Sequence, residues 1–72
     1  MRQKINLDTM SDIKEFVDTV SLIQEPVFIE DGQGSRVTAK SLMFTATAKM
    51  YWADLYVTCE KDISGSILKW II

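Results

Sequence analysis

Few side chains in this sequence could do chemistry, and the shortage narrows the functions open to it. Histidine, the usual general base, proton shuttle and metal ligand near neutral pH, is absent. The only cysteine, Cys59, cannot build a disulfide framework or a thiolate zinc site. It also sits on the apolar side of the alternating run Asp54–Glu60, where a thiol is packed rather than reactive. Gly32 and Gly34 lack the Gly-Lys-Ser/Thr that completes a phosphate-binding loop, and so point to a hairpin connection. That leaves hydroxyls. Thr9 and Ser41 each stand just ahead of a helical pattern, where a side-chain oxygen satisfies an orphan backbone N–H worth about 1 kcal/mol. No catalytic set, metal site or cofactor cradle emerges.

The elements that must position these residues are legible from periodicity. Gln3–Leu7 alternates, with Ile5 and Leu7 on one face, and predicts a short half-buried strand. Asp8 and Thr9 offer cap oxygens, and Ile13, Phe16, Val17 and Val20 recur at helical spacing, predicting a helix over Met10–Ile23. Val27–Glu30 is a strand after Pro26, Asp31–Gly34 a hairpin turn and Ser35–Thr38 a brief strand with Val37 inward. Ser41 then caps a second helix, short because Thr45 and Thr47 are β-branched, with Leu42, Met43, Ala46 and Met50 as its apolar stripe. Asp54–Glu60 is a strand with Leu55, Val57 and Cys59 on one side. The tail from Asp62 places Ile63, Ile67, Leu68, Ile71 and Ile72 at spacings near four, predicting a short amphipathic helix capped by Asp62, with Gly65 inside it as a reason for fraying. Helices interleaved with a hairpin predict an α+β fold: a two-layer, open-faced sandwich, βαββαβ plus a short C-terminal helix, with a four-stranded antiparallel sheet and helices on one face.

That element order, together with the run Ala39-Lys40-Ser41-Leu42-Met43 and Val20-Ser21 closing the first helix, resembles HPr, the histidine-containing phosphocarrier of the sugar phosphotransferase system. The resemblance covers about Asp12 to Lys61. It implies that Ser41 is a regulatory phosphorylation site and that Leu42, Met43 and Ala46 belong to a surface on which partner proteins dock. The departures are as informative. Where the family carries its phosphoryl-accepting histidine, an arginine and a proline, this chain has Thr9-Met10-Ser11-Asp12. Asp8 and Asp12 bring negative charge to the place a phosphate of about −1.5 to −2 would occupy. The glycine usual inside the second helix is Phe44. The expectation is an HPr-like domain without phosphocarrier chemistry, not an enzyme, acting through protein contacts. A working phosphocarrier component and a small structural or oligomerising domain are the alternatives.

Composition bounds the partners. Seventy-two residues make a single domain, 1–72, close to the lower size at which packing alone sustains a core. Eight basic against ten acidic residues give a net charge of −2, which offers no basic field for nucleic acid. No apolar run approaches the roughly 20 residues of a membrane span, and Arg2 and Lys4 lead into Asn6 and Asp8 rather than into a secretory core. A cytoplasmic protein without a membrane or nucleic-acid partner is expected. Met43, Phe44, Met50, Tyr51, Trp52, Trp70, Ile71 and Ile72 are more apolar mass than one sheet face hides, so some must be exposed or in an interface. Leu42, Met43, Phe44, Ala46, Tyr51 and Trp52 form the expected contact patch, for a protein partner or for self-association, with Trp70-Ile71-Ile72 as a second seam; the alternative is that Trp52 and Trp70 wrap the sheet edge as core.

Overall fold

The computed structural model describes residues 1–72 and shows an α+β fold with one open four-stranded antiparallel sheet. In chain order the elements are β1 (Arg2–Ile5), α1 (Met10–Ser21), β2 (Val27–Glu30), β3 (Arg36–Thr38), α2 (Leu42–Tyr51) and β4 (Leu55–Cys59), followed by a single 3-10 turn at Leu68–Trp70. The sheet order is β1-β4-β2-β3, so the last strand lies between the first and the second. Its register aligns Gln3, Val57, Ile29 and Val37 in one inward row, with Ile5 beside Leu55 and Val27 beside Cys59 in neighbouring rows. Ile5, Val27, Ile29, Leu55, Val57 and Cys59 meet Ile13, Phe16, Val17 and Val20 of α1 and Ala48 of α2 in one continuous core of 16 buried side chains. Val37, on the edge strand, is only half-buried.

Local chemistry accounts for most boundaries. Thr9 is extended (φ −125°, ψ 164°), its hydroxyl accepts the Asp12 N–H at 3.0 Å, and the Asp12 carboxylate accepts the Thr9 N–H at 3.3 Å. This reciprocal box starts α1 cleanly. The helix stops at Ser21, two residues short of the expected Ile23, as the Leu22 N–H tightens onto the Thr19 carbonyl and the Ile23 N–H onto that of Val20. The β2–β3 connection needs glycine twice, because Gly32 and Gly34 take φ of +81° and +103°. Asp31 steadies it, its carboxylate accepting the N–H groups of Gln33 and Ser35 at 2.7 and 3.1 Å.

Two expectations are corrected. The tail is no amphipathic helix capped by Asp62. Asp62 instead closes a local turn, accepting from the Ser64 N–H and hydroxyl, and only Leu68–Trp70 is helical. Ile63, Ile67 and Trp70 are nonetheless buried, so the apolar spacing marks docking rather than helix. The Asn6 N–H donates to the Trp70 carbonyl at 2.8 Å, and Ile71 bridges Ile5, so the tail covers the β1 edge instead of forming an exposed seam. Trp70 lies in the core with its ring edge-on to Phe16, centroids 5.4 Å apart. Of the expected seam, only Ile72 is exposed. The second correction concerns the phase of α2. Its buried positions are Thr45 and Ala48, whereas Leu42, Met43 and Met50 face outward.

Candidate functional site

Two helix N-termini carry the residues that the sequence marks for function. At the start of α1, the stretch Thr9–Asp12 is occupied by its own cap, and the Asn6 side-chain amide donates to Asp8 at 2.5 Å. The indole N–H of Trp70 is buried with no hydrogen-bond partner in range. Burial pushes the Asp12 carboxyl up, but the Thr9 N–H and the Thr9 hydroxyl hold it down, and the net direction is down. Asp12 therefore stays negative at neutral pH, and the positive end of α1 is already matched by a carboxylate of the chain itself.

At the start of α2, Ser41 is extended (φ −100°, ψ 120°) and its hydroxyl accepts the Phe44 N–H at 3.2 Å. This is the cap expected of it. No acidic residue lies in the first turn of α2, so this end carries no carboxylate of its own. Lys40, immediately before it, is turned away, its ammonium donating to the Ile23 carbonyl and tying the α1 exit to the α2 entrance. Thr45 is fully buried, with its hydroxyl donating to the Ala39 carbonyl, so this β-branched residue serves as the close-packing contact of the helix.

The expected contact residues divide by exposure. Met43 is 74% exposed, Phe44 50%, Tyr51 76% and Leu42 39%, with Met50 at 76% on the same helix. Ala46 and Trp52 are half-buried and packed against the core, so they support the surface rather than form its crest. The helix carries one charged residue, Lys49, which is partly covered. Thr47 stands between Met43 and Met50 and donates its hydroxyl to the Met43 carbonyl at 2.8 Å. The outward face of α2 is therefore apolar along its length.

A second constellation, which residue-by-residue reading missed, covers the open face of the sheet. Arg2 lies over the Tyr56 ring at 4.0 Å and Arg36 over the Phe28 ring at 4.1 Å. Glu30 sits between them, 3.5 Å from the Arg2 guanidinium and 3.1 Å from that of Arg36. Strand alternation puts each of these side chains outward. Only the register β1-β4-β2-β3 brings them together, and no local signal contains it. An open groove of about 430 Å³ on this face is lined by Phe28, Arg36 and Thr58 among others. Its one arginine is engaged by Glu30 and by the Phe28 ring. Nowhere do three or more histidine, cysteine, aspartate or glutamate side chains come together as metal ligands. No helix is long and apolar enough to cross a membrane.

Searches against protein-family models, curated proteins and solved structures find no match to this chain.

Proposed function

We propose that this chain is an HPr-like interaction domain, related to the phosphotransferase system but without phosphocarrier chemistry, whose partner contacts run over the exposed face of α2. The observation that carries the reading is the apolar crest Leu42, Met43, Phe44, Met50 and Tyr51 on a helix with one partly covered charge. A solvated helix ordinarily turns its polar residues outward, and α2 does the reverse. Support for the family likeness comes from the βαββαβ order, the open-faced sheet and a serine capping α2. Support for the loss of carrier chemistry comes from the start of α1, where Thr9 and Asp12 close a capping box in place of a phosphoryl acceptor. Ser41 is the regulatory candidate: a phosphate there would add about −1.5 to −2 charges at the edge of the apolar crest and change which surfaces it tolerates.

Two measurements test this. Incubation with enzyme I and phosphoenolpyruvate should leave no acid-labile phosphate on the protein, and transfer would overturn the non-carrier reading. Affinity capture from lysate of the source cells with wild type and with Phe44→Lys should show a partner lost in the variant. Identical captured sets would remove α2 from the proposal.

A further inference from the structure

The β2–β3 turn and the α2–β4 connection meet at one end of the sheet, because β2 and β4 are antiparallel neighbours with Glu30 opposite Tyr56. A cleft of about 270 Å³ opens there, lined by Asp31, Gln33, Tyr51, Trp52, Ala53 and Asp54, with no lysine or arginine among the lining residues. Its electrostatics have one sign. The Asp31 carboxylate accepts the Gln33 and Ser35 N–H groups on one oxygen, Oδ1, which holds it below the usual 3.8 and keeps it ionised at neutral pH, while Oδ2 is left for a further donor. Asp54 meets Lys4 at 3.2 Å, but both side chains stand largely in water, so the pair is screened and weak. The helix α2 ends at Tyr51, so its last carbonyls add partial negative charge at the cleft, and Lys49, in that last turn, does not line it. Tyr51 and Trp52 bring aromatic rings, whose faces also attract cations.

We propose that this cleft binds a primary alkylammonium group. The three N–H donors of such a group suit the carboxylate oxygens of Asp31 and Asp54 and the side-chain carbonyl of Gln33. Its charge suits two carboxylates and a helix C-terminus, and its methylene chain suits the rings of Tyr51 and Trp52. A calcium-like cation is a poorer match, because it takes six to eight oxygen ligands and only two carboxylates line the cleft. A quaternary ammonium would meet the rings but leave the oxygen acceptors without donors. The site goes beyond the contact surface of α2 and shares only Tyr51 with its apolar crest.

Butylamine, added at neutral pH and constant ionic strength up to about 100 mM, should shift the amide resonances of Gln33 and Asp54 and the Trp52 indole N–H saturably, with a dissociation constant in the millimolar range expected of so small a ligand. Butanol, the same chain without the charge, should not. Asp54→Asn, a change at an exposed position, should weaken binding by about fivefold or more, and so should Asp31→Asn, whose side-chain oxygen still accepts the N–H groups of the turn. Glu60→Gln, which removes an exposed carboxylate outside the cleft, should leave binding unchanged. An Nα-acetyl-lysine amide probe separates the sources: its binding extends the ligand to a lysine side chain, and its failure beside bound butylamine restricts the site to free amines. Absence of a saturable butylamine shift, an equal loss on Glu60→Gln, or tetramethylammonium binding as tightly as butylamine overturns the proposal. Phe44→Lys should leave the titration unchanged, so this site and the contact surface of α2 fail separately.

Discussion

Trp70 tests whether the C-terminal segment is core or surface. It is 4% exposed, its ring meets Phe16 edge-on at 86°, and the tail it belongs to seals the β1 edge through the Asn6–Trp70 hydrogen bond. Truncating a buried Trp costs about 3 to 5 kcal/mol through lost transfer and cavity terms, to which the edge-on pair adds about 0.5 to 1.5 kcal/mol. A domain of this size has about 4 to 10 kcal/mol in all. Trp70→Ala should therefore be partly or wholly unfolded at 37 °C, and its urea midpoint is best measured in the cold. Trp70→Phe is the more discriminating change. It keeps an aromatic edge toward Phe16 and removes an indole N–H that is buried without a partner, which as a desolvated donor costs about 1 to 3 kcal/mol. The lost ring area and the removed penalty oppose each other, so Trp70→Phe should fall within about 1 kcal/mol of wild type. Urea melts read the effect. A Trp70→Phe loss above 2 kcal/mol would refute the reasoning by showing that the indole N–H has a strong partner in solution. A Trp70→Ala loss below 1 kcal/mol would show that the tail is not part of the core.

Ser41→Ala should destabilise by about 0.5 to 2 kcal/mol and Ser41→Asp should be nearly neutral, since an aspartate can also accept the Phe44 N–H; equal losses in urea melts would contradict the cap. Gly32→Ala should cost about 1 to 2 kcal/mol, because its φ of +81° is strained for any Cβ and that Cβ would meet the Tyr56 ring at 3.1 Å. Thermal melts of Gly32→Ala that match wild type would refute the turn geometry. Asp12, Asp31 and Asp62 all have carboxyls held below the usual 3.8, for Asp12 against the upward push of burial and for the other two chiefly by the backbone N–H groups of Gln33 and Ser64. A depressed folded-state value contributes stability above the unfolded value that is lost as pH falls through the folded one. Stability should therefore decline below pH 3.8, and the triple Asn variant should show a shallower decline in acid titrations of the urea midpoint.

What the sequence determined by itself is what short-range physics governs. The caps at Thr9 and Ser41, the glycine turn at Asp31–Gly34 and the alternation in β2 and β4 each depend on atoms within about four residues, so they are written locally and found where expected. Phe16, Val17 and Val20 were legible as core because α1 carries a separate polar face to contrast with them. The second helix offers no such contrast. Almost every residue of Leu42–Tyr51 is apolar or small, so hydropathy cannot orient it, and close approach to the core selected Thr45 and Ala48 by size. That choice turned Met43 and Met50 outward and created the candidate contact face. The tail was misread for a related reason: Ile63, Ile67 and Trp70 recur at near-helical spacing, yet what spaces them is a run of turns fitted over the β1 edge. The arginine–aromatic pairs around Glu30 depend on the strand order β1-β4-β2-β3, set by pairings between residues up to 56 positions apart in sequence. Local propensity holds no record of such contacts, because their free energy exists only once the whole sheet has closed.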